Sequence, residues 1–290
     1  MSRIQLSVIV AVAPGHPALE STLDSLAAAL PGITAEVIVV GGSPVVHPSI
    51  EILRHVAAAP DMLVPEAWGV GIATAAGEIV GCLSTEFIVQ QEWAKSLLPM
   101  VRDQVAGAAG AIAIAPHSSG ATTGMYLLRF APFLPGSEAP ATRDNIPGDG
   151  ALYRREKILE HPDLLAEGFW EIEFHRRWLA AGDSLVFDPT ARITFLGPVS
   201  LAEGVALRYR HGVTYGSTMV LRHSNSRMRH ILLAPILPLV LTGRIARRLK
   251  ARGGSLAPLI RSLPALLALT SAWSAGEAVG AMRPNGGTAK

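Results

Sequence analysis

The stretch Trp68–Trp93, WGVGIATAAGEIVGCLSTEFIVQQEW, decides how this 290-residue chain folds. Its first part is punctuated by glycines and predicts a short helix that ends in a turn at Gly77. The apolar run Ile79–Leu83 predicts a strand buried on both faces. The polar tripeptide Ser84–Glu86 follows that strand directly. Because open α/β sheets bind ligands outside the carboxyl ends of their strands, this tripeptide is a candidate site.

The residues before this stretch predict the same kind of sheet. Leu6–Val12 and Glu36–Val40 are apolar runs typical of buried parallel strands. Leu19–Leu30 carries leucines at helical spacing, and Ile50–Ala59 predicts a second, weaker helix. Alternation of strands and helices indicates an α/β fold with a doubly wound, mostly parallel sheet and flanking helices.

The residues after Trp93 extend the pattern. We predict a helix over Trp93–Val105, a strand over Ala109–Ala115 and a loop over His117–Gly124. Pro132–Pro147 is rich in proline, glycine and small polar residues, and its length predicts a mobile lid or binding loop. A further helix is expected within Leu164–Ala181.

Composition narrows the function classes. The net charge is only +2, from 25 Lys and Arg against 23 Asp and Glu, so nucleic acid is not an expected partner. The chain has a single cysteine, Cys82, which excludes a disulfide or a cysteine metal site within one chain. Cys82 lies in a predicted buried strand. No secretory signal is recognised at the N-terminus, so a cytoplasmic location is expected.

The C-terminal part is apolar and basic. Ile231–Leu241 and Leu256–Met282 are apolar, but prolines and charges interrupt them, whereas a membrane span needs about 20 predominantly apolar residues. Between them lie the basic residues Arg244, Arg247, Arg248, Lys250 and Arg252. This pattern predicts helices that lie on an anionic membrane surface. An apolar hairpin packed on the first domain or on another subunit is the alternative.

The chain resembles the GT-A glycosyltransferases of family 2. The resemblance rests on the strand LSVIVAV ending at Ala13, on VIVV followed by Gly41, and most specifically on the run Trp68–Glu78 with Gly69 and Gly71. It implies that Ala13, Gly41, Gly69 and Gly71 lie at a nucleotide-sugar site. Glycine at position 41 stands where the family commonly has an aspartate that contacts the base.

The resemblance also implies a metal site. The family usually has Asp-x-Asp at the position of Ser84–Glu86, and this motif holds the Mg²⁺ or Mn²⁺ of the nucleotide-sugar. Here Glu86 supplies the tripeptide's one carboxylate and Ser84 only a hydroxyl. Because these ions prefer carboxylate and phosphate oxygens, we expect weak metal binding through Glu86.

Three more charged residues are identified as site residues by the resemblance. Trp170–Glu173 (WEIE) falls on the family's E-D-x-[DE] motif, which places Glu171 on the catalytic base. The resemblance implies phosphate contacts for Arg155, in the pair that follows Gly-Asp-Gly at residues 148–150, and for Arg210, in RYRHG. The alternatives are a structural ion pair for Arg155 and a basic helix face for Arg210.

These matches predict a GT-A nucleotide-sugar-binding and catalytic domain over residues 1–200 and a helical membrane-proximal extension over 201–290. The expected reaction is inverting transfer of a sugar from a nucleoside-diphosphate sugar to a lipid-linked or polysaccharide acceptor. The expected place is the cytoplasmic face of the cell membrane, in cell envelope polysaccharide synthesis. The alternatives are a non-catalytic relative that binds a sugar nucleotide or a partner enzyme, and a Rossmann-type enzyme, which would lack its usual first glycine motif.

Overall fold

The chain divides into two compact units in the computed structural model. Unit 1 contains the residues up to Ala113 together with Phe133–Leu196, and unit 2 contains Ile114–Pro132 together with the residues from Gly197 on. The structure describes residues 3–13, 18–60, 62–197, 200–222 and 227–282, so residues 283–290 of the predicted extension lie outside the description. The division into domains at residue 200 stays a prediction, and unit 2 also includes a segment that the prediction assigned to the first domain.

The described residues form nine strands and eleven α-helices. The strands are β1 (Leu6–Ala11), β2 (Ala35–Val40), β3 (Leu53–Val56), β4 (Ile79–Ser84), β5 (Phe87–Val89), β6 (Val105–Ile114), β7 (Ala141–Thr142), β8 (Ala151–Arg154) and β9 (Ser184–Phe195). The helices are α1 (Leu19–Ala29), α2 (Val64–Thr74), α3 (Trp93–Leu97), α4 (Gly120–Phe130), α5 (Arg155–Leu159), α6 (Pro162–Leu165), α7 (Glu171–Ala180), α8 (Leu201–Arg222), α9 (Arg227–Leu233), α10 (Leu237–Ala251) and α11 (Ala257–Met282).

One sheet runs through unit 1 in the order β3-β2-β1-β4-β8-β6-β9-β5, with β7 paired to β9. The first four strands in this order are parallel, and β8 joins them antiparallel to β4. The predicted fold class is therefore confirmed, and the parallel part of the sheet is its N-terminal half. The register pairs Ala11 with both Val40 and Ser84, so the carboxyl ends of β1, β2 and β4 meet at one edge.

Three predicted elements are wrong. Ile50–Ala59 is not a helix, because Leu53–Val56 pairs with β2 as the edge strand. His117–Gly124 is not all loop, because α4 begins at Gly120 and the Ser119 hydroxyl accepts the Thr122 N–H at 3.1 Å as its cap. The helix that begins at Trp93 ends at Leu97 and becomes a short 3₁₀ turn containing a proline.

Unit 2 is built around the close contact of α8 with α11. Glycines spaced four apart face each other on the two helices, namely Gly212 and Gly216 on α8 and Gly276 and Gly280 on α11. A Cβ at any of these positions would collide with backbone of the other helix, so only glycine permits this approach. Within the described part of the chain, no helix has the length and apolar character required to cross a membrane.

Candidate functional site

Thr85, the middle residue of the polar tripeptide, joins the ends of β1 and β4. The Thr85 N–H donates to the Ala11 carbonyl at 3.0 Å, and the Ala13 N–H donates to the Thr85 hydroxyl at 3.0 Å. Ala13 lies at the expected edge of the sheet, but its N–H is already used by this bond. Thr85 therefore has a structural role that the sequence did not indicate.

Ser84 holds a second carboxylate, from outside the tripeptide, at the end of β4. Its hydroxyl donates to the Asp149 Oδ1 at 3.1 Å, and both side chains are buried. The turn into β8 fixes Asp149 there, because the Gly150 N–H donates to the Cys82 carbonyl at 2.7 Å and Gly150 has a φ of +72°. Asp149 is not among the predicted site residues, and its signal in the sequence is an acidic residue between two glycines before a buried strand.

Glu171 reaches the same place from the start of α7. Gly148 is packed so closely there that a Cβ on it would lie 3.0 Å from the Glu171 carboxyl carbon and 3.0 Å from Trp68 Cζ3. Trp68 is itself held by the bond from its indole N–H to the Leu83 carbonyl, at 2.8 Å. The predicted base is thus half-buried beside the Ser84–Asp149 pair.

The neighbouring acid has a different environment. Glu173 Oε2 accepts from Arg176 Nη1 at 3.1 Å, one turn further along α7. Glu171 and Glu173 both lie in the first turn of α7, where the helix dipole stabilises negative charge. The two glutamates of the WEIE motif differ in their neighbours, which are Gly148 and Trp68 for Glu171 and Arg176 for Glu173.

Both carboxylates act electrostatically on the buried residues behind them. Burial raises the pKa of the Tyr153 phenol well above its usual value, and the charges of Glu171 and Asp149 raise it further. The pKa of the Cys82 thiol is raised by burial and then by the same two carboxylates. Cys82 is thereby kept a neutral core residue, in agreement with the sequence analysis.

A buried polar chain supports α7 one turn after Glu171. His175 Nδ1 lies 2.6 Å from the Asn145 Oδ1, and His175 Nε2 lies 3.1 Å from the Tyr153 hydroxyl. Burial lowers the pKa of His175 to about 3, so the ring is neutral. A neutral ring that donates from Nδ1 to Asn145 must accept at Nε2 from Tyr153. This chain connects α7 to β8 and to the segment that leads into Asp149.

The two glycines of α2 pack against protein. A Cβ on Gly69 would lie 2.9 Å from the Gly168 Cα, and a Cβ on Gly71 would collide with the Ile9 side chain. Both are buried and leave no space for a side chain, and their contact with a nucleotide sugar stays a prediction. Gly41 has a φ of +88° in the turn after β2, which requires glycine, and a donor contact there stays a prediction.

Of the two predicted arginines, Arg155 lies in the same unit as Ser84 but away from it. The Arg155 N–H donates to the Glu78 carbonyl, before the start of β4, and β8 pairs antiparallel with that strand. At about 3.3 Å per residue, Arg155 is therefore about 20 Å of strand away from Ser84, and a shared phosphate contact is not supported. Arg210 is an exposed residue of α8 in unit 2, so its predicted diphosphate contact stays a prediction.

Glu86 is buried, with 5% of its surface exposed, which excludes a solvated surface acid. Among the described residues, no three His, Cys, Asp or Glu side chains form a group that would hold a metal ion. Glu86 and Asp149 do supply hard oxygens of the kind that Mg²⁺ and Mn²⁺ prefer. An ion bound by one or both would need phosphate oxygens to complete its shell.

No protein-family model matches the chain, and no curated protein sequence matches it. Among solved structures it is similar to the mannosyltransferase PcManGT from Pyrobaculum calidifontis in complex with GDP-Man and Mn²⁺. The identity is 18% and the TM-score 0.55, over 98% of this chain and 87% of that one. It is also similar to GalNAc-T7 with UDP, GalNAc and Mn²⁺, at 15% identity and a TM-score of 0.49, over 68% of this chain and 44% of that one.

The chain thus spans less than half the length of GalNAc-T7. At such low identity, the likeness to the mannosyltransferase shows the fold alone. The fold is that of GT-A glycosyltransferases.

Proposed function

We propose that this protein is an inverting glycosyltransferase that uses a nucleoside-diphosphate sugar. The observation that carries the proposal is the convergence of Glu171, Asp149 and Ser84 at the carboxyl end of β4. This is the edge where α/β sheets bind ligands, and two of the three side chains are carboxylates. The proposed acceptor is a lipid-linked or polysaccharide hydroxyl, as the family resemblance implies.

Glu171 is the proposed general base. Its carboxylate takes the proton of the acceptor hydroxyl while the hydroxyl oxygen forms a bond to the anomeric carbon of the sugar. The bond from that carbon to the diphosphate breaks on the opposite face, and the nucleoside diphosphate leaves with the electron pair. The helix dipole of α7 favours the ionised carboxylate before the proton is taken.

Asp149 is the proposed replacement for the aspartate that the tripeptide lacks. The proposal is supported by the hydrogen bond from the Ser84 hydroxyl to the Asp149 carboxylate, since Ser84 stands in the tripeptide where the resembled family usually has Asp-x-Asp. Glu86 and Asp149 would hold a divalent ion, which would neutralise the diphosphate when bound. The sequence departs from the family motif at Ser84, and this contact supplies the acid from another part of the chain.

The donor proposal predicts stabilisation by at least one sugar nucleotide. A ligand that binds only the folded protein stabilises it by about 2.7 kcal/mol at a concentration a hundred times its Kd. Thermal shift with UDP-, GDP- and dTDP-sugars, each with and without Mn²⁺, is the measurement. No shift with any donor at millimolar concentration would contradict both the transferase and the non-catalytic donor-binding protein.

The metal proposal predicts similar defects from Asp149→Asn and Glu86→Gln. Each change keeps the shape of a buried side chain and removes one negative charge, so the protein should stay folded. The Mn²⁺ concentration for half-maximal donor binding should rise about tenfold or more, equivalent to roughly 1.4 kcal/mol.

Glu92→Gln is the control for these two variants, because Glu92 is an exposed acid of the same unit. Titration calorimetry with donor and Mn²⁺ compares the three variants. A wild-type Mn²⁺ dependence in Asp149→Asn would show that Asp149 only orients Ser84.

A further inference from the structure

An exposed apolar patch lies on α9, the connection after it and the start of α10 in unit 2. The exposed fractions of Leu232 and Leu239 are 65% and 68%, far above those of ordinary leucines in a folded protein. The apolar patch consists of Met228, Leu232, Leu233, Ile236, Leu239 and Val240. These six residues lie within a stretch of 13 consecutive positions, and patches of this kind on a monomer mark interaction surfaces.

A basic ridge continues from the apolar patch along α10. The helix buries Pro238, Ile245 and Leu249 on its inner side. Its outer side changes from apolar to basic after Val240, and the ridge consists of the exposed residues Arg244, Arg247, Arg248 and Lys250. One helix therefore presents apolar and cationic surface in succession on its solvent side.

The charge around this surface has a single sign. Residues 204–276 contain eleven Lys and Arg and no Asp or Glu. A protein partner would have to be strongly acidic to match the basic part of this surface. It would also need a separate apolar region to cover the apolar patch. An anionic bilayer supplies both at once, with acidic headgroups outside and acyl chains below them.

We propose that the apolar patch and the basic ridge form a monotopic docking surface for an anionic lipid bilayer. The apolar patch enters the boundary between headgroups and acyl chains, and the basic ridge contacts the phosphates beside it. Docking needs no membrane-spanning helix and no sugar nucleotide. The proposal thus goes beyond the proposed sugar transfer and is tested without donor or acceptor.

Co-sedimentation of the full chain with vesicles tests the docking surface. The probes are vesicles of phosphatidylcholine alone and vesicles that also contain phosphatidylglycerol. We expect binding to the anionic vesicles that weakens as salt is added, because the ridge charges are solvent-exposed. Each neutralised ridge arginine, in Arg244→Gln and Arg247→Gln, should lower the partition coefficient about fivefold.

The double variant Leu232→Asp/Leu239→Asp should lower the same partition coefficient at least tenfold. Its matched control is Val46→Asp, because Val46 is 92% exposed in unit 1 and lies outside the patch. Both changes occur on exposed side chains, so circular dichroism should confirm that each variant is folded. Vesicle binding by the control should equal that of the wild type.

Two results would overturn the proposal. One is wild-type binding to anionic vesicles by the folded Leu232→Asp/Leu239→Asp variant. The other is absence of wild-type binding to both kinds of vesicle. Sedimentation equilibrium then tests whether the wild type forms a dimer that the double variant abolishes. Such a dimer would identify a second copy of the chain as the occupant of the patch.

Discussion

Turnover should fall by about 10²–10⁴-fold in Glu171→Gln, the range in which general-base catalysis contributes to enzymatic rates. Glutamine keeps the shape of the side chain, so it fits the close space between Gly148 and Trp68. It accepts no proton from the acceptor hydroxyl. Donor affinity should change little, because the base acts on the acceptor.

Glu173→Gln is the matched control for this variant. Glu173 lies two residues away on the same helix, where it forms its ion pair with Arg176. Neighbours at this spacing point away from each other, so its effect on turnover should be small. The assay follows radiolabelled sugar from the donor into a membrane-lipid extract.

Two results would revise the assignment of Glu171. Equal rates in Glu171→Gln and the wild type would show that another group is the base. A wild type that binds donor and transfers nothing would identify the chain as a non-catalytic sugar-nucleotide-binding protein.

Acid should destabilise the protein through His175, and this is the second large effect. Burial lowers the pKa of the folded-state ring to about 3, against 6.5 for an ordinary histidine. Between these values the unfolded chain takes up a proton that the folded chain refuses, so stability falls as the pH falls. The contribution of the neutral ring is fully present above the unfolded pKa and is lost progressively below it. One such group costs about 2 kcal/mol between roughly pH 7 and pH 5.

Urea unfolding of the wild type and of His175→Gln at these two pH values measures the effect. Glutamine can donate and accept hydrogen bonds but does not titrate, so the variant should lose less stability on acidification. Tyr153→Phe is the control, because it removes the hydrogen bond between the Tyr153 hydroxyl and His175 and leaves the His175 ring in place. Its loss on acidification should match the wild type, although it is less stable at both pH values. Equal acid losses in His175→Gln and the wild type would contradict the burial argument.

Local patterns in the sequence predicted three of the four parallel strands, whereas β3 was predicted as part of a helix. The apolar runs that became β1, β2 and β4 are long, continuous and bounded by turn residues, and such signals depend on a few neighbouring positions. The glycines of α2 were also recognised from the sequence, but the packing that requires them was not. Only the folded chain shows that Gly71 lies against Ile9, and that packing rather than a ligand excludes a side chain there.

The contact between Ser84 and Asp149 could not be predicted from local patterns in the sequence. Ser84 and Asp149 are 65 residues apart, and their contact depends on β8 pairing antiparallel with β4 in one register. The same pairing carries Arg155 to the far end of the strand, away from the site that its motif suggested. A single sequence holds no signal for that register, because it is fixed by packing on both faces of the sheet.

The sequence by itself determined the class of fold, the edge of the sheet that holds the site, and Glu171 as the candidate base. The tertiary structure decided which second carboxylate accompanies Glu171 and that Arg155 lies at the other end of β4. Local signals depend on residues a few positions apart, whereas a site is assembled by strand pairing and close packing between residues far apart in the chain.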